Sequence, residues 1–142
     1  MSRTHIPEYL RVRVRGQAGN RCGYCLSRQE YVWGVLEVEH IIPLKVGGAN
    51  TEENLWLACR PCNACKSNRI EAEDPDTGHT ALLFNPRTQS WREHFAWNDD
   101  GTQIIGLTPT GRATVVALRL NDSRRVAMRK LWVEVGWHPP IM

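Results

Sequence analysis

The sequence predicts an α+β fold in one domain, and three observations predict it. Apolar residues at helical spacing mark segments at both ends of the chain. Stretches rich in β-branched and aromatic residues lie between them, and all five cysteines fall between Cys22 and Cys65. At 142 residues, 42% hydrophobic and 23% charged, the chain is long enough for one core and ordinary in composition, which excludes disordered and collagen-like classes. No apolar run approaches the ~20 residues of a membrane span, and no signal-peptide core opens the chain. A membrane partner is therefore excluded, and a cytoplasmic protein is expected.

From the N-terminus, Leu10, Val14 and Ala18 recur at i, i+4, i+8 and predict a helix beginning near Pro7 and stopping at Gly19-Asn20. Val12 and Val14 between arginines would equally allow a short strand. Tyr31 to Ile42 carries Tyr31, Val32, Trp33, Val35, Val38, Ile41 and Ile42, is broken by Gly34 and ends at Pro43. That composition predicts one or two strands. Gly47-Gly48 is a loop, Asn50 to Asn54 a capped turn leading into Leu55-Trp56-Leu57, and a short helix is expected from about Asn63. Glu71 to Gly78 reads as a solvated acidic loop that divides residues 1–70 from a C-terminal extension, residues 71–142, packed on the same domain. The extension is expected to hold strands near Leu82 to Asn85, Phe95 to Trp97 and Gln103 to Leu107, with a β-hairpin turning at Asp99-Asp100-Gly101. Two helices follow, about Gly111 to Leu120, then from an N-cap at Ser123 through Val126, Met128, Leu131 and Val135 to Gly136. Arg124, Arg125, Arg129 and Lys130 are expected on the solvated face of the last helix.

Net charge is only +3, but its distribution is uneven. Residues 1–30 hold six arginines against two glutamates, and residues 58–70 hold Arg60, Lys66 and Arg69 with no acid, whereas residues 71–100 are dominated by acids. Fifteen of the eighteen basic residues are arginine, whose planar fork suits phosphate.

An odd number of cysteines cannot all pair internally, and their clustering points to metal. Cys22-Gly-Tyr-Cys25 and Cys59-Arg-Pro-Cys62 are two C-x2-C knuckles, which together offer a tetrahedral set of four thiolates for structural Zn²⁺. Cys62-Asn-Ala-Cys65 is a third such spacing. Cys62 is preferred as the fourth ligand because it matches the spacing from Cys59, with Cys65 as the alternative. Four thiolates leave no open position, so this metal would supply folding energy rather than catalysis. By tying residue 22 to residue 62 it would clamp the segment that carries Glu39-His40 and Asn54, with Asn63 directly after the last ligand.

The runs Cys22-Gly-Tyr-Cys25, Val38-Glu-His-Ile-Ile-Pro-Leu44, Gly47-Gly48, Asn54-Leu-Trp-Leu-Ala-Cys59 and Cys62-Asn-Ala-Cys-Lys66 resemble an HNH endonuclease of the zinc-clamped ββα-metal type. The likeness covers roughly half the chain, and the extension is similar to the tail of small stand-alone bacterial HNH proteins. The resemblance implies a ββα-metal core in which His40 is the general base toward water and Asn54 braces the loop and orients that base. It further implies that Glu39 and Asn63 hold a catalytic Mg²⁺ or Mn²⁺, and that Lys66 and Arg69 lie near the phosphate. Arg11, Arg13 and Arg15 are expected to join them on DNA through phosphate contacts. Histidine suits the role, because its unperturbed pKa of ~6.5 leaves it largely able to accept a proton at neutral pH. Carboxylate and amide oxygens favour hard ions.

Two other readings stay open. One is a zinc-stabilised module that binds nucleic acid without cutting it, and the other is a zinc-ribbon protein whose partner is another protein. The oligomeric state is open as well, a homodimer being one option.

Overall fold

A computed structural model describes residues 5–141; Arg3, one of the N-terminal arginines, lies outside them. The described residues are mixed helix and strand in two compact units, Met1–Ile70 with Asn85–Gln89, and Glu71–Phe84 with Ser90–Met142. Among the described residues no helix is long and apolar enough to cross a membrane.

In the first unit, helix α1 (Glu8–Gln17) starts after Pro7, whose carbonyl accepts from Leu10 and Arg11. Glu8 in its first turn and Arg15 in its last both complement the helix dipole. It stops where Gly19 and Asn20 take positive φ, 65° and 56°. The helix prevails over the strand alternative because it lets Val14 and Ala18 share one buried stripe while Val12 stays in solvent.

Tyr31 to Ile42 forms a single strand, β1 (Glu37–His40), and not two. Ahead of it, Gln29 uses its side chain where a strand would need a neighbour. Its Nε2 donates to the Gly34 carbonyl at 2.7 Å and its Oε1 accepts from the Leu36 amide at 2.8 Å. That leaves Trp33 in solvent. Strand β1 pairs antiparallel with β2 (Leu55–Ala58) in the register Glu37↔Ala58, Val38↔Leu57, Glu39↔Trp56 and His40↔Leu55. Helix α2 (Arg60–Lys66) follows directly, three residues earlier than expected, because Pro61 is suited to a first turn and Cys59 can act as N-cap. Both α1 and α2 pack on this hairpin. Gly48 is fixed sterically, since a Cβ there would collide with the carbonyl oxygen of Ile42.

The second unit has two hairpins and three helices, more than the sequence reading expected. Residues 71–78 are not a free acidic loop: β3 (Glu71–Glu73) pairs with β4 (Thr80–Leu82). The reason is Asp74, fully buried, whose carboxylate takes Nε and Nη2 of Arg112 at 2.9 Å each and also accepts from the Asp76 amide and the Thr77 hydroxyl. The Arg112 contact holds its carboxyl well below the usual range. An acid with a depressed folded-state pKa stabilises the fold above its unfolded pKa and loses that contribution as pH falls through the folded value. Wild type should therefore lose stability between about pH 4 and about pH 2 more steeply than Asp74→Asn, as read by urea midpoints across that window.

A one-turn helix α3 (Trp91–His94) leads into β5 (Phe95–Trp97), which pairs with β6 (Ile104–Gly106) across a turn where Gly101 has φ 76°. Helix α4 (Pro109–Ala117) is capped by the Thr108 hydroxyl. Helix α5 (Ser123–Glu134) is capped by Asp122 rather than Ser123, the Asp122 carboxylate accepting from the Arg124 amide.

The α5 faces also differ from expectation. Met128, Leu131 and Val135 are exposed, while Arg129 and Trp132 are buried. Arg129 is drawn inward because its guanidinium satisfies the Thr102 carbonyl at 2.9 Å and the Leu120 carbonyl at 2.6 Å, and lies over the Trp97 ring.

Candidate functional site

The knuckle Cys22–Cys25 precedes β1, and Cys59 and Cys62 sit at the start of α2, so the β1–β2 hairpin and α2 bring the two pairs together. All four cysteines are buried, with sulfur atoms within 4.8 Å of one another, and Cys25 Sγ lies 3.6 Å from Cys59 Sγ. The edge of a tetrahedron with 2.3 Å zinc–sulfur arms is roughly 3.8 Å, so the spacing fits such an ion. Mutual hydrogen bonding pushes the Cys59 thiol up, and burial does the same to Cys62. Four buried thiols this close need a cation if they are to ionise. Cys65 is half-buried and stands outside the group. Zinc is therefore a natural occupant of the four-cysteine site, whose fourth member is Cys62.

The same unit holds a cavity of about 370 Å³ whose lining includes Arg11, Glu39, His40, Lys45 and Asn63. Glu39 is buried. Its Oε2 accepts from the Tyr24 hydroxyl at 3.2 Å and lies 3.8 Å from Lys66 Nζ, while its Oε1 has no hydrogen-bond partner among the described residues. Burial, partly offset by Lys66 and Tyr24, pushes the Glu39 carboxyl up to about 7. The same burial lowers Lys66 and raises Tyr24. A buried carboxylate oxygen without a partner costs free energy, and a divalent ion in the cavity would satisfy it.

His40 ends β1 and is half-buried. Its Nε2 lies 2.8 Å from Asn50 Oδ1. The Asn50 amide has its nitrogen engaged, Nδ2 donating to the His5 carbonyl at 3.1 Å, so the atom facing His40 is an acceptor. In the neutral ring Nε2 then carries the proton and Nδ1 the lone pair. Asn54 is not among the described residues that line this cavity. It ties the loop together, accepting from the Ile42 amide and donating to the Ile42 and Ala49 carbonyls, all at 2.8 Å. Asn63, from α2, donates through Nδ2 to Glu37 Oε1 at 2.8 Å.

The basic residues are placed less uniformly than the sequence reading expected. Lys66 is 2% exposed and faces Glu39, so it offers no head group to a nucleic-acid backbone. Its place on the inner face of α2, where a buried acid waits on the neighbouring strand, accounts for the difference. Arg13 is exposed but ion-paired to Glu52 at 2.7 Å. Arg15 is half-buried in the last turn of α1, and Arg69 is exposed, donating to the Cys65 carbonyl at 2.7 Å. Arg11 borders the cavity with its Nε on the Ile6 carbonyl.

Sequence reasoning missed Tyr24, Glu37, Lys45 and Asn50. Tyr24 was hidden as a spacer between two cysteines. The available signal for Glu37 was the Glu-x-Glu spacing, which puts Glu37 and Glu39 on one face of a strand.

In comparison with known proteins, residues 22–69, about a third of the chain, fit the family model described as HNH endonuclease. No curated protein and no solved structure shows a significant match. The matched segment begins at the first ligand-type cysteine and runs through β1, β2 and α2, so it spans both the four-sulfur cluster and the Glu39, His40 and Asn63 side of the cavity. Over residues 22–69 this chain is similar to the HNH endonuclease family.

Proposed function

We propose that the chain is a metal-dependent DNA endonuclease in which His40 takes a proton from the attacking water through Nδ1. The observation that carries this reading is the convergence on one cavity of a histidine with a defined free nitrogen and a buried carboxylate with an unsatisfied oxygen. Glu39 and Asn63 would hold the ion, and a hard divalent ion such as Mg²⁺ or Mn²⁺ supplies, when bound, stabilisation of charge on the phosphate and leaving oxygen. Asn50 orients the base. Asn54 keeps the 41–54 loop closed so that Asn50 stays within reach of His40. Arg11 and Lys45, which line the cavity, can take flanking phosphates, which gives affinity and salt dependence but little sequence choice. The four cysteines hold structural zinc and take no part in the chemistry.

The test is incubation of supercoiled plasmid with the zinc-loaded chain and Mg²⁺, Mn²⁺ or chelator. Metal-dependent nicking or linearisation is expected. A salt-sensitive gel shift without cutting in any divalent ion would assign the chain instead to non-catalytic nucleic-acid binding.

A further inference from the structure

We infer that Glu37 is a positioning residue that fixes which end of the Asn63 side-chain amide faces the cavity. The inference rests on the reading that Glu39 and Asn63 hold the divalent ion. An asparagine amide has one end that can bind a cation, Oδ1, and one that repels it, Nδ2, and the two ends are nearly equal in size. An asparagine ligand is therefore useful only if something sets its rotation. Here Nδ2 donates to Glu37 Oε1 at 2.8 Å. A carboxylate can only accept, so the reverse rotation would set Oδ1 against a negative oxygen. With Nδ2 committed to Glu37, Oδ1 is the end left for the cavity that Asn63 lines together with Glu39 and His40.

Glu37 is not among the described residues lining that cavity, so it acts through Asn63 and not on the ion. Its place follows from strand geometry. Glu37 and Glu39 share a face of β1 two residues apart, and α2 crosses that strand, bringing Asn63 to Glu37 and Lys66 to Glu39. The strand thus carries one carboxylate for the ion and a second to orient the amide beside it.

The experiment measures Mn²⁺ binding to the zinc-loaded full chain by the electron paramagnetic resonance signal of free Mn²⁺, with zinc content and melting temperature recorded for each variant. Glu37→Ala should weaken Mn²⁺ binding about tenfold or more, and Glu37→Gln, which keeps an acceptor oxygen, should stay within about threefold of wild type. Asn63→Asp has two equivalent oxygens and needs no orientation. In that background the Glu37→Ala change should cost less than about threefold. An equal loss in both backgrounds would show that Glu37 acts by its charge or as a ligand and would overturn the inference, as would wild-type affinity in Glu37→Ala. Should Glu37→Ala lose its zinc, the decision passes to Glu37→Gln combined with Asn63→Asp, which exchanges donor and acceptor across the same contact. Affinity near wild type supports the inference, and a tenfold loss overturns it. If wild type binds no Mn²⁺ beyond its zinc, the ion-binding reading itself fails and the inference falls with it.

Discussion

His40→Ala is expected to lower plasmid cleavage about 10²–10⁴-fold while zinc content, melting temperature and salt-dependent DNA binding stay near wild type. The ring is half-buried at the end of β1 and its side chain hydrogen-bonds Asn50, so its removal breaks one loop contact and leaves the hairpin register intact. The loop keeps its other anchor, the three hydrogen bonds of Asn54, which do not involve the imidazole. A large kinetic loss without a structural one separates a proton acceptor from a packing residue. Cleavage retained at more than about a tenth of wild type would remove His40 from the chemistry.

The second large effect concerns the sulfur cluster. Cys62→Ser should abolish stoichiometric zinc and unfold the segment between residues 22 and 62, because a structural zinc site of this kind is worth ~10–16 kcal/mol of apparent binding energy coupled to folding. Cys65→Ser should keep one zinc per chain, since Cys65 stands outside the four-sulfur group. Zinc analysis on the purified variants, with far-ultraviolet circular dichroism during chelator titration, checks both. Full zinc in Cys62→Ser would show that Cys65 can replace it and that the ligand set is not the one drawn here.

The four-cysteine cluster was legible from spacing because metal geometry imposes short, regular intervals on the chain. Glu39, His40 and Asn63 were legible only through the family resemblance. Their partners were not, since Tyr24, Glu37 and Asn50 act through contacts between residues 10 to 26 positions apart, and nothing in local pattern announces such pairs. Element types near the turn signals were readable, as with β5, β6 and the Asp99-Asp100-Gly101 turn. What failed was burial of charge. Asp74 and Arg129 were read as solvated and Lys66 as lying near the phosphate, yet each meets a partner contributed by another element, which buries it.

The chain passes between the two compact units three times, at residues 70/71, 84/85 and 89/90. The returning stretch is not idle in the first unit: Arg87 donates to the Leu55 carbonyl at 3.1 Å and to Gln17 Oε1 at 2.7 Å, and lies over the Trp56 ring. The nuclease-like half is thus finished by residues synthesised after the first hairpin of the other half. A stop at residue 70 would deliver a half lacking its own last piece. Lifting residues 22–69 out as a contiguous cassette would forfeit the Arg87 contacts, and gain or loss of the extension in descent would have to preserve, or replace, the Asn85–Gln89 insert at the same time.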